Sequence, residues 1–269
     1  MSTMIRKFKH ILKLLCSFWI TSISAELEYR LNLLIEILSV SGNLIGSIFL
    51  LSLFYTPTTN LGGWNWESSL VVLGIYTFLE GFTITFLQPN LTRIVRHIQD
   101  GTLDFILLKP IHSQIWVSFR IFSPWGIPSV VSGLILISYG LFNSNVDYSL
   151  RTIIISFLML MSSIHILYSL WFIIATTSIW FVRVWNANEV LRSTLVAGRY
   201  PISSYPASLQ KVLTFVIPIA FLTTVPAQAM MDRLSLIWCL YSLIISFLFV
   251  LISHKFWNYA IRFYTSASS

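Results

Sequence analysis

The chain has 269 residues, 56% of them hydrophobic and only 10% charged, against about 25% charged in a soluble domain. No water-soluble fold of this length hides so much apolar surface, so the composition excludes one. The formal charge of +7 is carried in short basic segments between apolar runs, which suits lipid headgroups and predicts no nucleic-acid partner. Cys16 and Cys239 lie far apart in apolar contexts and offer neither a disulfide framework nor a metal site. The expected fold class is all-α: a polytopic membrane helix bundle of about six spans, with an N-terminal amphipathic interfacial helix.

Residues 1–30 admit two readings. The basic start (Arg6, Lys7, Lys9) and the Ser22-Ile23-Ser24-Ala25 stretch imitate a secretory signal, but Lys13 interrupts its apolar region and bulky Phe18 and Trp19 crowd the site of cleavage. Ile5, Phe8, Leu12, Leu15, Trp19 and Ile23 recur at steps of three and four, with Arg6, Lys9, Lys13 and Ser17 opposite. That pattern favours a basic amphipathic helix lying in the inner membrane surface.

Six hydrophobic runs follow within a membrane domain of residues 31–253: Leu31 to Tyr55, Leu70 to Leu87, Ile121 to Phe142, Ile153 to Val182, Val212 to Pro226 and Leu234 to Ile252. A bilayer core of about 30 Å needs roughly 20 helical residues. The first, second, third and sixth runs fit one crossing each, and the fourth is long enough to project past one face. The fifth is short and broken by Pro218, which suits a re-entrant segment as well as a full crossing. Residues 254–269 are expected to form a tail.

Charge orients the chain. Arg6, Lys7, Lys9, Lys13 and Arg30 precede the first run; Arg93, Arg96, Lys109 and Arg120 follow the second; Arg183, Arg192, Arg199 and Lys211 follow the fourth; Lys255 and Arg262 follow the sixth. Only Arg151 and Arg233 remain for the opposite side. The positive-inside rule then predicts a multi-pass membrane protein with both termini and the 89–113 connection cytoplasmic. Trp64 and Trp66 become outer interfacial anchors, and Trp257 and Tyr259 inner ones.

The sequence contains no G-x-x-x-x-G-K-[ST], H-E-x-x-H or G-x-S-x-G, so no catalytic residue, cofactor or metal is assigned. Energy for any transport must come from another subunit or from an ion gradient. Among span residues, Glu36 and Asn43 share a face of the first run with Asn32 and Ser39, and Gly42 and Gly46 form a G-x-x-x-G pair there. Glu80 lies in the second run, with Thr77, Gly81 and Gln88 on about the same face. Ser156, Ser163 and Thr177 mark a polar stripe on the fourth. Such residues read either as a polar pathway (for Glu80, a proton site) or as glue between helices, with glue favoured for the hydroxyls.

The longest charged connection between runs, residues 89–113, carries Arg93, Arg96, Asp100, Asp104 and Lys109. Leu91, Ile94, Val95 and Ile98 predict a short amphipathic helix that Gly101 ends. The stretch IQDGTLDFILLKP (98–110) resembles the loop after the second span in bacterial ABC-transporter permeases of the type-2 exporter class, and YPISSYP (200–206) with LTFVIPIAFLTTVPA (213–227) gives a second match.

The resemblance implies a permease subunit without its own ATPase, docked on a separate ABC ATPase through a coupling helix in that loop, with Arg93, Arg96, Asp100, Asp104 and Lys109 at the interface. It also implies a bacterial inner membrane and a second permease chain, identical or related, beside one translocation path within membrane lipid. In that class a span precedes the Y-P motif, which would make Asn186 to Gly198 the fifth crossing and Val212 to Pro226 re-entrant. The charge count favours the simpler topology. Two rival functions stay open: an ion-gradient-driven carrier using Glu80, and a non-transport scaffold whose loops recruit partners.

Overall fold

A computed structural model describes residues 16–24, 30–56, 60–144, 146, 149–181 and 185–264. Among them every regular element is helical, and the one β-bridge joins Leu61 to Trp64. In chain order the helices are α1 (residues 16–24), α2 (Arg30–Tyr55), α3 (Trp66–Phe82), α4 (Gln88–Gln99), α5 (Leu103–Leu107), α6 (Ser113–Phe119), α7 (Ile127–Asn143) and α8 (Leu150–Thr176). After these come α9 (Trp185–Leu195), α10 (Ala207–Lys211), α11 (Ile219–Leu222), α12 (Thr224–Met230) and α13 (Leu236–Ala260). Five stretches are long and apolar enough to cross a bilayer: Leu34–Tyr55, Trp66–Gln99, Pro124–Asn143, Leu150–Ile179 and Leu236–Phe263. The all-α polytopic fold expected from the sequence is what forms.

Local chemistry sets several boundaries. The Asn65 side chain accepts the Ser68 N–H at the start of α3, and the Ser149 hydroxyl accepts the Thr152 N–H at the start of α8. Helix α3 runs through a π-helical turn, Thr83–Leu87, into α4. The turn lies one residue before Pro89, which has no N–H to offer the Thr85 carbonyl; that carbonyl accepts the Ser123 N–H instead, at 3.0 Å. The combined helix of 34 residues is about 50 Å long, so it reaches roughly 20 Å beyond a bilayer core.

Helix α3 is the centre of the bundle: 72% of its apolar window is buried, against 11% for α2. It packs antiparallel on α7 through glycines spaced by seven, Gly74 and Gly81 on one helix and Gly126, Gly133 and Gly140 on the other. A Cβ at Gly133 would lie 2.5 Å from the Phe78 nitrogen and 2.7 Å from the Gly74 oxygen, so the two backbones touch. The G-x-x-x-G pair of α2 behaves differently, because among the described residues nothing outside its own turn of helix lies within 4 Å of a Cβ at Gly42 or Gly46.

Contacts between loops divide the bundle into two ends. At the first end, Tyr55 donates to the Trp64 carbonyl, Gly140 meets Glu67, Ser203 donates to the Gly62 carbonyl, and Thr152 donates to Asp232. At the second end, Trp19 donates to the Phe119 carbonyl, Trp257 to Ser113, and His254 pairs with Gln114. Residues 16–24 and 261–264 therefore share the end that carries α5 and α6. Trp19, expected on the lipid-facing stripe, packs against Phe86 and Phe122 as well. The rest of the expected N-terminal helix, residues 1–15 and 25–29, lies outside the described residues.

Several sequence-based expectations change, and the path of Val212 to Pro226, left open by the sequence, takes one of its two forms. Residues 185–199 carry the chain from the second end to Ser203 at the first, so α9 is the fifth crossing despite Glu189, Arg192 and Arg199. The charge count had put Arg192, Arg199 and Lys211 on the inner side; Arg199 lies within the bundle and Lys211 at the first end, while Arg183 falls outside the described residues. The run Val212 to Pro226 re-enters: α10 with Val212–Val216 and α11 with α12 are bent by 70° about Ile217 and Pro218, and both flanks stay at the first end. Ser163 on α8 donates to the Phe221 carbonyl and anchors the turn, as the glue reading of that hydroxyl expects. Trp64 and Trp257 are buried rather than facing lipid as interfacial anchors. The expected tail continues α13 to Ala260.

Candidate functional site

Two sites emerge, one inside the bundle and one at its second end. Glu36, Asn43 and Glu80, singled out separately in the sequence, line a single cavity of about 90 Å³ between α2, α3 and α9. Ser39, Tyr76 and Thr77 line it too, with Arg192 and Arg199 from α9 and the 3₁₀ turn that follows. Sequence reasoning placed these two arginines in a loop and so missed them.

Arg199 is held on three sides. Its Nη2 donates to Asn43 Oδ1 at 3.1 Å, its guanidinium lies 5.0 Å from the centre of the Tyr76 ring, and Gly198 beside it packs against Ile219 and Thr223. Its Nε is buried with no acceptor among the described residues. Arg199 and Arg192 both attract the Glu80 carboxylate while Glu36 repels it, giving a cluster of two positive and two negative groups. A second space of about 40 Å³ lies across Glu80, lined by Gln88, Trp171 and Thr223 among others. Among the described residues, the Trp171 indole N–H and the Thr223 hydroxyl are buried there without hydrogen-bond partners. Gly81, expected on the Glu80 face, is turned to α7.

The second site is a spur made by the end of α4, Gly101, α5 and α6. Gly101 has φ +66°, which lets the chain turn sharply after α4. His97 and Thr102 hydrogen bond across the turn at 2.8 Å. Leu103 and Ile106 are buried, whereas Phe105 is 69% and Leu108 82% exposed. Of the five charged residues expected here, Arg93, Arg96 and Asp100 are exposed. Lys109 is also exposed, but its Nζ lies 4.3 Å over the Trp116 ring. Asp104 sits beside Tyr264, whose phenol is held above its usual range by burial and then by that carboxylate. Phe105 and Leu108 were quoted in the sequence motif but given no role.

The base of the spur is bolted to the bundle. Asn90 donates to the Ile121 carbonyl and accepts the Ile121 N–H, at 2.7 and 2.8 Å. Gln114 donates to Tyr168 on α8 and pairs with His254 on α13, while Ser118 also meets the Tyr168 hydroxyl. Displacement of the spur is thereby linked to α3, α8 and α13. Among the described residues no group of three His, Cys, Asp or Glu side chains is placed to hold a metal ion.

These features define a multi-pass helical membrane protein of the transport class, with a charged interior cavity and a braced projection at one end. A family model described as ABC-2 family transporter protein matches residues 42–268, and the chain belongs to that family. No match was found among curated proteins or among solved structures. Members of the family are membrane transport components, and the family in general works with an ABC ATPase.

Proposed function

We propose that the chain is the permease half of an ATP-driven exporter of a bacterial cytoplasmic membrane, powered by a separate ABC ATPase that seats on the spur. The observation that carries the reading is the exposure of Phe105 and Leu108 on a projection whose base is fixed by directed hydrogen bonds. Two large apolar side chains held out side by side suit a groove on a partner, as buried anchors do at interfaces. Arg93, Arg96 and Asp100 then form the charged rim, with Lys109 and Asp104 fixing the spur's own shape through Trp116 and Tyr264.

The end that carries the spur is the cytoplasmic one. It holds Arg93, Arg96, Lys109, Arg120, Lys255 and Arg262, against Arg151, Lys211 and Arg233 at the other end, and the positive-inside rule follows that bias. The α2–α9 face lines the transport path opposite a second permease chain. Ser39, Asn43 and Arg192 are exposed on crossing helices. An ionised side chain facing hydrocarbon costs about 2.5–3.5 kcal/mol, so this face suits water and protein rather than lipid.

Co-purification with the cognate ATPase tests the reading. Phe105→Asp with Leu108→Asp is expected to leave the permease inserted and folded but to strip it of the ATPase. Retention of the ATPase at the wild-type ratio contradicts the assignment.

A further inference from the structure

The re-entrant segment encloses a third space that neither the interior cluster nor the spur uses. It measures about 380 Å³ and lies at the first end of the bundle, between α10, the turn into α11 and α12, and the start of α13. That is within the size range of small-molecule sites. Phe215, Ala220, Val225 and Trp238 supply its apolar wall, and Lys211, two glutamine amides and three hydroxyl side chains supply its polar lining. Next to its lining residues in sequence lie apolar side chains that are exposed: Val212 and Val216 beside Lys211 and Phe215, and Leu236 and Ile237 just before Trp238 on α13.

We propose that this cleft binds one anionic phospholipid from the surrounding bilayer, with the phosphate at Lys211 and an acyl chain against Phe215 and Trp238. Three observations converge on this occupant. The exposed apolar side chains around the cleft are ones that hydrocarbon covers favourably, which suits entry from the side, out of lipid. Its wall is mainly apolar, with a cation on one flank, which matches an amphiphile carrying a negative head. The cleft also sits at the level of the bilayer boundary, because α10 follows the Ser203–Gly62 contact of the loop end, while the Phe221 carbonyl dips to the middle of α8. A polar cargo in water has no reason to favour a lateral apolar mouth, and a wholly apolar one has no use for Lys211.

Occupancy couples to the structure around it. The same segment provides Thr224, whose hydroxyl accepts the Ile202 N–H, and Ile202 lies a few residues from Arg199 in the interior cluster. A lipid seated in the cleft therefore braces the re-entrant turn against the Tyr200–Pro206 stretch that follows the fifth crossing.

The test is native mass spectrometry of the purified full chain released from nanodiscs of phosphatidylglycerol or of phosphatidylcholine. The proposal expects one retained phosphatidylglycerol per chain and at least threefold less phosphatidylcholine. Lys211→Gln, at an exposed position, is expected to lower phosphatidylglycerol retention at least threefold and to erase the preference. Ala207→Trp, which fills the rim from another exposed position, is expected to lower retention of both lipids. Equal retention by wild type and both variants overturns the proposal. So does a cleft covered by a second copy, seen as variants that change the dimer fraction without changing lipid per chain. The readout involves no ATPase, so it stands or falls separately from the transport reading.

Discussion

Gly133 is one of the points where α7 and α3 touch backbone to backbone, and a single methyl group there probes the contact. In Gly133→Ala the new Cβ meets Phe78 N at 2.5 Å and Gly74 O at 2.7 Å, both of them backbone atoms that no rotamer change can move. Restoring an ordinary separation of about 3.4 Å forces the helices apart by nearly 1 Å at this level, a gap that forfeits a quarter to a half of each neighbouring dispersion contact. Overpacking of this kind costs about 1–3 kcal/mol, and the gain in helix propensity from Gly to Ala, about 1 kcal/mol, offsets only part of it. Gly46→Ala is the internal control: it has the same chemistry on α2 and, among the described residues, no packing partner within 4 Å. Thermal unfolding of the two variants in one mild detergent is the assay. Gly133→Ala is expected to melt clearly below wild type, and Gly46→Ala at or slightly above it. A Gly133→Ala protein as stable as wild type refutes the close contact, as does equal destabilisation of both.

Other expectations follow from the two sites. Arg199→Leu removes the bond to Asn43 and the stacking on Tyr76, and leaves Glu80 with Arg192 as its remaining cationic neighbour. It is expected to destabilise the protein by about 3–5 kcal/mol, with part of the loss recovered in the double variant with Glu80→Gln; strict additivity in denaturation experiments counts against a shared cluster. Phe105→Ala and Leu108→Ala are each expected to weaken ATPase binding about 30-fold, or some 2 kcal/mol, in a titration with the purified ATPase. Arg93→Ala and Arg96→Ala act at the rim, so their smaller effects should shrink further as salt is raised; salt-independent losses larger than those of Phe105→Ala contradict the ranking. Glu80→Gln separates the carrier alternative: ATP-dependent transport in vesicles should not follow the proton gradient, and dependence on that gradient lost in the variant favours a carrier.

Much of the architecture was legible because a bilayer demands long apolar runs, and the α2, α3, α7, α8 and α13 crossings coincide with five of those runs. The fifth crossing was not. Glu189, Arg192 and Arg199 depress its hydropathy, and the group that accepts the Arg199 hydrogen bond, Asn43, lies 156 residues away. No local pattern carries that information. Glu36, Asn43 and Glu80 were visible as anomalies in apolar runs, yet their convergence on one cavity depends on how α2 and α3 rotate. The glycine contact was open to reading: the sevenfold spacing of Gly126, Gly133 and Gly140 is in the sequence, whereas the more familiar G-x-x-x-G of α2 meets nothing among the described residues. On the spur, charge drew attention to Arg93 and Arg96. Which apolar residues point outward was decided by the turn at Gly101, which buries Leu103 and Ile106 and leaves Phe105 and Leu108 exposed.

The most direct test of the account places a photo-reactive amino acid at Leu108 in the intact membrane, with a second at Phe142 as control, since Phe142 is 91% exposed at the opposite end of the bundle. Irradiation is expected to join position 108 to a single P-loop ATPase and position 142 to none. Capture of lipid alone at position 108, or the same ATPase in equal yield at both positions, contradicts the seating of a motor on this spur.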